Sequence, residues 1–556
     1  MQFSEYQPLA EYKNRYGALH EKNVKSHWEV LVAESGIDEM ANRATVEQIN
    51  ETQTKIDSND SSLRTNKTMR GWLIFLIILT VCVSAFFLIK FRDPDSIHIM
   101  VIVLLLAMAV IIVALYLIDS KLKPRMTSLT EVLAELNENK KKLTEEAWSQ
   151  VAPLNALFTR HIPARLMEET YPLIDFDDCF DSKRFDYLQQ KYKLGDNFDI
   201  NQSTLFVKSG EIKGNPFCIF KTLNHYMGEM TYYGYKTIYW TEYYINSEGK
   251  RSSRRVSETL SAKVTAPFPE YYETTYIIYG NEAAPNLVFK RKPSKTNKMT
   301  DREIRRFVKR ETKRIEKKME KTVTQGENFT LMGNGEFESL FGALNRNNEV
   351  EFRLLFTPVA QREIVNLIKD KTVGFGDDFD FEKTCMLNTI RPEHINSLDI
   401  TCDPKMYYHY DVAEIRRKFV EFNLLFFRSV YFAFAPLLAI PLYQSHKPHE
   451  FIYKDVYDSI VSCFEHERAA NREASKFIHP QSVTRNILKT RHERSDGESD
   501  NVAVTAYGYR IEKKCTSVTV HGGDGKYHNV NVGWDKYISV QGSGNLYITM
   551  NDLLTQ

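Results

Sequence analysis

Four residues in the C-terminal half have the types and spacing of a zinc site. His446 and His449 are separated by two residues, and Cys463 and His466 repeat that spacing after a gap of thirteen residues. Imidazole and thiolate are the ligands that tetrahedral Zn²⁺ prefers, and two closely spaced pairs give a workable geometry. A Cys-x-x-His pair on a helix also arises by chance, so the alternative is that the chain binds no metal and has no cofactor.

A glycine turn at residues 374–382 gathers the carboxylates of Asp377, Asp378, Asp380 and Glu382. Carboxylates bind hard cations, but the spacing here differs from that of an EF-hand loop, so we expect a plain acidic turn. The chain contains no HExxH, GxSxG, P-loop or GxGxxG string. It therefore carries no diagnostic catalytic motif, and the sequence leaves open whether the protein is an enzyme.

The segment 290–321 is strongly basic, with 15 lysine and arginine residues against five aspartate and glutamate residues. Its apolar residues share one helical stripe, so we predict a basic amphipathic helix. Such a helix suits an anionic lipid surface or a nucleic-acid backbone. A third interpretation is a solvated helix whose stripe packs on the protein. The predicted lipid- or polyanion-contact residues are Arg305, Arg306, Lys309, Arg310, Lys313 and Lys317.

Aromatic and β-branched residues alternate over roughly residues 195–290 between clusters of Gly, Asn and Ser. This pattern predicts an antiparallel β unit. Tyr235, Tyr239 and Trp240 are candidates for a ligand surface within it. Aromatic residues at strand spacing more commonly pack in the core or across strands, and we favour that interpretation.

These candidates must be positioned around two apolar blocks in residues 71–118, neither of which contains a charge. Each block has about 19 to 20 residues, enough for a helix of roughly 30 Å, the thickness of the bilayer's hydrocarbon core. We predict a transmembrane helical hairpin. Lysine and arginine residues near the spans number six on the outer flanks and two in the turn, so both termini are expected in the cytoplasm.

Helical stripes flank the hairpin on both sides, interrupted at Gln53 and Asp60 before it and at Lys140 after it. The two ends of a hairpin emerge side by side, so these helices could pair as an antiparallel stalk; alternatively, each packs on the cytosolic body, which is the interpretation we favour. The seven cysteines never form a CxxC pair, which is typical of reduced thiols in the cytosol.

The fold class predicted is α+β: a transmembrane helical hairpin with a helical stalk and a cytosolic body rich in antiparallel β structure. Composition divides the chain into seven segments. They are an N-terminal cytosolic helical segment (1–70), the transmembrane hairpin (71–118), a stalk helix and connector (119–170), a β-rich domain ending in the basic helix (171–330), a mixed α/β domain (331–484), a polar linker (485–500) and a C-terminal β-meander (501–556).

Three local predictions lie within the mixed segment. Residues 350–356 are predicted as a strand, and Thr357 with Pro358 as the start of a helix. Residues 424–443 are long enough for a third span, but Arg428 and two prolines argue against one. We predict a soluble buried helix that ends before Pro436, with a re-entrant or surface-lying segment as the alternative.

Two spans followed by a cytosolic domain, together with the strings FESLF (337–341) and NNEVEFRLLFTP (347–358), resemble an uncharacterised bacterial membrane-protein family, a domain of unknown function. The likeness covers roughly residues 70–400. It implies a bacterial inner-membrane location for an integral membrane protein. It brings no activity and no functional residues.

The sequence favours a membrane-anchored, cytosol-facing binding, scaffold or regulatory protein. The partners expected are the lipid bilayer, anionic lipid headgroups, and a protein partner or a second copy of the chain. Two alternatives from other classes stay open: an enzyme acting on a lipid or nucleotide at the membrane surface, and a membrane-tethered nucleic-acid-binding sensor. Binding that weakens steeply with salt would favour the sensor.

Overall fold

The structure, a computed structural model, describes residues 6–90, 97–178, 188–195, 199–245, 250–294, 296–324, 332–445, 462–497 and 499–549. The chain forms two compact units. Unit 1 comprises Met1–Val24, Arg160–Asp403 and Asn423–Gln556, and unit 2 comprises Lys25–Thr159 and Pro404–Phe422.

Helices and antiparallel sheet are mixed along the chain, as the α+β prediction requires. The helices are α1 (Pro8–Glu11), α2 (Gly17–Ser35), α3 (Glu39–Lys90), α4 (Ile97–Tyr116), α5 (Lys123–Leu157), α6 (Ile162–Thr170), α7 (Asp301–Thr324), α8 (Gly335–Phe341), α9 (Glu349–Leu355), α10 (Pro358–Lys369), α11 (Val412–Leu438), α12 (Pro441–Ser445) and α13 (Cys463–Arg472). Single π-helical segments join α1 to α2 (Tyr12–Tyr16) and α4 to α5 (Leu117–Leu122).

The strands form two antiparallel sheets. They are β1 (Ile174–Phe176), β2 (Gln202–Ile212), β3 (Asn215–Ile245), β4 (Arg251–Gly280), β5 (Val288–Arg291), β6 (Phe379–Thr384), β7 (Leu387–Pro392), β8 (Ile487–Ser495), β9 (Ser499–His521) and β10 (Tyr527–Thr549). The larger sheet has the order β1-β2-β3-β4-β7-β6-β5, and the smaller has the order β10-β9-β8.

Within unit 2, α3 and α5 lie antiparallel. Asn42 Nδ2 donates to Gln150 Oε1 at 3.2 Å, and Lys140 Nζ donates to Gln53 Oε1 at 2.6 Å, so partners descend along α5 as they ascend along α3. Gln53 and Lys140 are two of the three residues that interrupt the predicted apolar stripes, and this hydrogen bond joins them. The third, Asp60, lies 2.9 Å from Arg64 Nε on the same helix. The stripe on α3 is buried at Val46, Ile49 and Leu63.

The larger sheet joins two segments that the sequence separates. Strand β5, from the predicted β-rich domain, pairs with β6, from the predicted mixed domain, and β7 pairs with β4. The predicted boundary at 330/331 is therefore wrong, since both segments contribute to one sheet. The rings of Phe289 on β5 and Phe381 on β6 lie 5.2 Å apart in its core. Composition reveals strands but not which distant strands pair.

Two further local predictions are wrong. The strand predicted at 350–356 is the helix α9, because Phe352, Leu355 and Phe356 bury one face at helical spacing and the Asn348 side chain accepts from Glu351 N at 3.1 Å as its N-cap. The predicted linker 485–500 contains strand β8, which pairs with β9. By contrast, α10 begins at Pro358 with Thr357 as its N-cap, as predicted.

Helix α11 continues through Pro436 to Leu438, so the predicted end before that proline is wrong. It is long and apolar enough to cross a membrane, but 67% of its most apolar stretch is buried inside the protein. Arg428 Nε donates to Val373 O at 2.7 Å, and its guanidinium lies 4.9 Å from the centre of the Phe375 ring. These contacts favour a buried helix over a span, because the charged residue is satisfied inside the protein.

A lysine is buried in the core of the larger sheet. Lys383 on β6 is fully buried, and its Nζ has no hydrogen-bond partner among the described residues. The ammonium lies 5.5 Å from the centre of the Tyr443 ring, whose hydroxyl donates to Asn388 Oδ1 at 2.5 Å. Burial lowers the pKa of Lys383 from 10.5 to about 7. The site is too apolar to hold a charge without cost.

Lys383→Met should stabilise the protein most below about pH 7, with the gain fading as the pH rises toward 10.5. Between a folded pKa of about 7 and an unfolded value of 10.5, the unfolded chain binds a proton that the folded chain does not, so wild-type stability rises with pH. The full gain is on the order of 3–5 kcal/mol. Thermal unfolding of the detergent-solubilised chain, followed by circular dichroism at several pH values, measures it.

The control is Lys263→Met, at an exposed position on β4. Its ammonium stays in water in both states, so the Tm difference from wild type should not vary with pH. If the gain in stability of Lys383→Met also did not vary with pH, the result would contradict the description of Lys383 as a buried lysine without a compensating partner.

Candidate polyanion-binding groove and aromatic ribbon

The predicted basic helix is α7, and its N-terminus is fixed by a capping box. Thr300 N donates to Glu303 Oε2 at 2.7 Å, and Glu303 N donates to Thr300 Oγ1 at 3.4 Å. The apolar stripe of α7 faces the protein: Ile304 and Ile315 are each 2% exposed. Thr312 and Ser339 on α8 share a hydrogen bond of 3.0 Å. The stripe is therefore used within the body, and the basic face is turned outward.

A basic groove of about 1160 Å³ lies beside the second half of α7. Its walls are α7, Lys290 on β5 and the loop of residues 342–345 that follows α8. Among the described residues, the cations that line it are Lys290, Arg310, Lys313, Arg314, Lys317 and Lys318, and the acidic lining residue is Glu320. A concave surface with this excess of positive charge concentrates anions.

Several of these cations are held in place by protein contacts. Lys318 Nζ donates to Leu344 O at 2.8 Å, and Lys290 Nζ lies 3.0 Å from Glu382 Oε2. Arg314 Nη1 lies 3.1 Å from Glu311 Oε2. These contacts hold three basic side chains along the groove.

The structure divides the six predicted contact residues into two groups. Arg310, Lys313 and Lys317 line the basic groove. Arg305, Arg306 and Lys309 are exposed on the first half of α7, and none of them is among the lining residues. Lys290, Arg314 and Lys318 were not singled out from the sequence, although all three lie in the basic segment. The loop 342–345 carries no charge that could have indicated its part.

The second candidate surface lies on a long β ribbon formed by β3 and β4. The residues of the two strands pair without interruption from Phe217↔Tyr279 to Ile245↔Arg251. Beyond about His225 the ribbon extends past β2 on one side and β7 on the other, so both of its edges lack a neighbouring strand in the described sheet.

One face of this ribbon is exposed and rich in tyrosine, and we call it the tyrosine face. Tyr235 is 68% exposed and Tyr239 is 62% exposed, and the guanidinium of Arg255 lies 5.0 Å from the centre of the Tyr239 ring. Its members are Tyr233, Tyr235, Tyr239 and Tyr243 on β3, with the cross-strand residues Ser253, Ser257 and Ser261 on β4. Trp240, the third predicted ligand residue, points to the opposite face.

That opposite face packs on the β9–β10 hairpin. Ile238, Leu260 and Ala262 form a buried cluster with Val530 and Val532, and Trp240 packs against it. Gly523 N donates to Glu258 Oε2 at 2.6 Å. For Trp240, the interpretation as packing is therefore the correct one, whereas Tyr235 and Tyr239 remain available to a ligand.

Of the four predicted zinc ligands, the structure describes Cys463 and His466, and His446 and His449 lie outside the described residues. His466 Nε2 is 3.0 Å from Asp500 Oδ2 in a buried site, and burial lowers the pKa of His466 while the Asp500 hydrogen bond opposes that shift. The part of the chain that the structure describes holds no cluster of three or more His, Cys, Asp or Glu suited to a metal.

The acidic turn is used internally. Asp377 forms a buried ion pair with Arg291, and Asp378 contacts the His394 ring. Its carboxylates thus hold the sheet and its flanking turns together, as expected for a structural turn.

No family model, no curated protein and no solved structure matches this chain.

Gly234→Ala should destabilise the ribbon, because a methyl group at this position would overlap the carbonyl oxygen of Asn531 on β10. The two hairpins would have to separate, at a cost of about 1–3 kcal/mol. Gly533→Ala on β10 is the matched control, since a methyl group there meets nothing within 4 Å. Limited proteolysis and thermal unfolding of the two variants measure the difference. Equal stability would mean that the hairpins are not packed as described.

Proposed function

We propose that the protein is an integral membrane protein anchored by the α3–α4 hairpin. Its body is cytosolic and acts as a binding, scaffold or regulatory module. The observation that carries this proposal is the uncovered apolar surface of the hairpin. Two long helical stretches, Glu39–Phe86 and Leu104–Leu157, are long and apolar enough to cross a membrane. The most apolar part of each is at most 6% buried inside the protein.

This apolar surface runs around both helices and is not confined to one stripe. Trp72 is 68% exposed and Ile78 56% on α3, while Leu106 is 63% exposed and Ile112 59% on α4. Soluble proteins rarely expose contiguous apolar patches above a few hundred Å². A helix that is apolar all round is either buried in protein or surrounded by lipid, and α3 and α4 expose most of the apolar side chains of their blocks.

The cytosolic orientation is supported by the charges beside the two blocks. Arg64, Lys67 and Arg70 precede the first block, and Lys121, Lys123 and Arg125 follow the second. Lysine and arginine residues near a span remain preferentially in the cytoplasm. The proposed bacterial inner-membrane location rests in addition on the resemblance to the uncharacterised family.

A binding role is supported by the two outward surfaces of unit 1. The basic groove offers positive charge, and its described lining contains no histidine, cysteine or serine that could act as a nucleophile. The tyrosine face combines tyrosine with serine, the residue types that binding surfaces use for rigid contact area and adaptable hydrogen bonds. Both features favour recognition over catalysis.

Leu106→Arg should impair membrane integration, since an arginine at the middle of a span costs about 2.5–3.5 kcal/mol. The fraction of the chain that resists alkaline extraction from membranes measures the effect. Val132→Arg is the control, because Val132 is an exposed residue of α5 beyond the apolar block and should tolerate the charge. A wild-type chain that is monodisperse without detergent would overturn the proposed anchor.

Tags at the two termini test the proposed orientation. Protease added to intact spheroplasts should leave both tags uncut, whereas the same protease should remove both from inside-out vesicles. Cleavage of either tag from outside intact cells would reverse the assignment. The experiment is independent of any ligand.

A further inference from the structure

The basic groove holds more positive charge than its own acidic residue can balance. Among the described residues, six lysine or arginine side chains line it, and Glu320 is the one acidic lining residue. Glu311 beside the groove pairs with Arg310 and Arg314, and Glu382 pairs with Lys290, which leaves the positive charge in excess. Protein surfaces normally intersperse both signs, because like charges close together repel one another. A concave surface with this imbalance is stabilised by an anion of matching size.

Two of the six cations have no partner in the described part of the chain. No ion pair or hydrogen bond engages Lys313 or Lys317, whereas Lys318 is bonded to the Leu344 carbonyl and Lys290 to Glu382. Lys313 and Lys317 lie one helical turn apart, so their Cβ atoms are separated by about 6 Å. Arg310 and Arg314 lie 3.6 and 3.1 Å from Glu311, so two free ammonium groups line a groove whose other four cations contact neighbouring groups of the protein.

We infer that the basic groove binds an oligophosphate, a compact ligand that carries two or more phosphate groups. Arginine and lysine are the residues that recognise phosphate. The groove volume of about 1160 Å³ exceeds what a single phosphate ion needs. Lys313 and Lys317, spaced along α7, fit separate phosphate groups of one ligand.

The lining disfavours the competing polyanion, a single-stranded nucleic acid. Proteins that bind single strands stack the bases on aromatic side chains. None of the described residues that line the groove is aromatic, and its apolar members are Ile315 and Leu344. The groove therefore offers sites for phosphate without a platform for bases.

The oligophosphate is either soluble or the headgroup of a polyphosphorylated lipid, and both present the same chemistry. The inference rests on the proposed binding role of the body but does not require the membrane anchor. The apolar stripe of α7 is buried, so contact with a lipid would go through the headgroup and would not involve insertion of the helix.

The test uses the full-length chain in detergent micelles and inorganic tripolyphosphate as the probe, titrated by calorimetry. Tripolyphosphate should bind at least about tenfold more tightly than orthophosphate, because one ligand then engages several cations. The double variant Lys313→Gln/Lys317→Gln should lose about tenfold or more in affinity for tripolyphosphate.

The matched control is Arg305→Gln/Lys309→Gln, which removes the same charge from exposed positions of the same helix outside the groove. It should change the affinity less than about twofold, since both side chains face open solvent. Equal losses in the two double variants would overturn the inference, because binding would then follow net charge alone. So would tripolyphosphate binding no tighter than that of orthophosphate, or tighter binding of a single-stranded RNA that displaces tripolyphosphate.

Reconstitution into nanodiscs separates the two sources. If a lipid headgroup occupies the groove, adding phosphatidylinositol bisphosphate to phosphatidylcholine discs should weaken tripolyphosphate binding, and Lys313→Gln/Lys317→Gln should abolish that competition. Unchanged affinity assigns the groove to a soluble oligophosphate. A chain that resists alkaline extraction but binds no tripolyphosphate refutes this inference and leaves the anchor standing, so the two failures are distinguishable.

Discussion

The apolar surface around α3 and α4 is the constraint under which the rest of this chain is arranged. Such a surface cannot remain in water without a large free-energy penalty. Next to this apolar surface the chain becomes more polar, and the apolar stripe along α3 and α5 narrows. Where the stripe is interrupted, Lys140 donates a hydrogen bond to Gln53. A polar contact at the seam is worth little energy, but it favours one register between the two helices over others.

The basic helix α7 shows how one element serves two demands. Its apolar stripe is consumed in packing on α8, so its position is set by the body and not by a ligand. The cations on the remaining face are then presented by a rigid support. Because the helix itself needs no ordering when a ligand arrives, the ordering cost is confined to free side chains such as Lys313 and Lys317.

How far the sequence predicts this structure depends on the range of the interactions involved. The apolar blocks, the basic helix and the N-cap at Thr357 follow from periodicity and capping, which are local. The pairing of β5 with β6 joins residues about ninety positions apart, and no local pattern encodes it. At 350–356, the run of apolar residues fits both periods, and only the burial of Phe352 and Phe356 shows which one is used. The basic groove depends on a loop that comes to α7 through tertiary packing.

The close approach of the two long hairpins has a mechanical consequence. β3 alone would span roughly 100 Å if fully extended, and a single two-stranded ribbon of that length bends readily. Here the β9–β10 hairpin packs against the face of the ribbon opposite the tyrosine face. Gly234 lies so close to Asn531 that a side chain would not fit between them. Two hairpins packed face to face bend less readily than either hairpin would alone. The tyrosines on the exposed face are thus held on a stiff support. Because β3 and β4 continue into the larger sheet, a force applied at the end of the ribbon would reach that sheet.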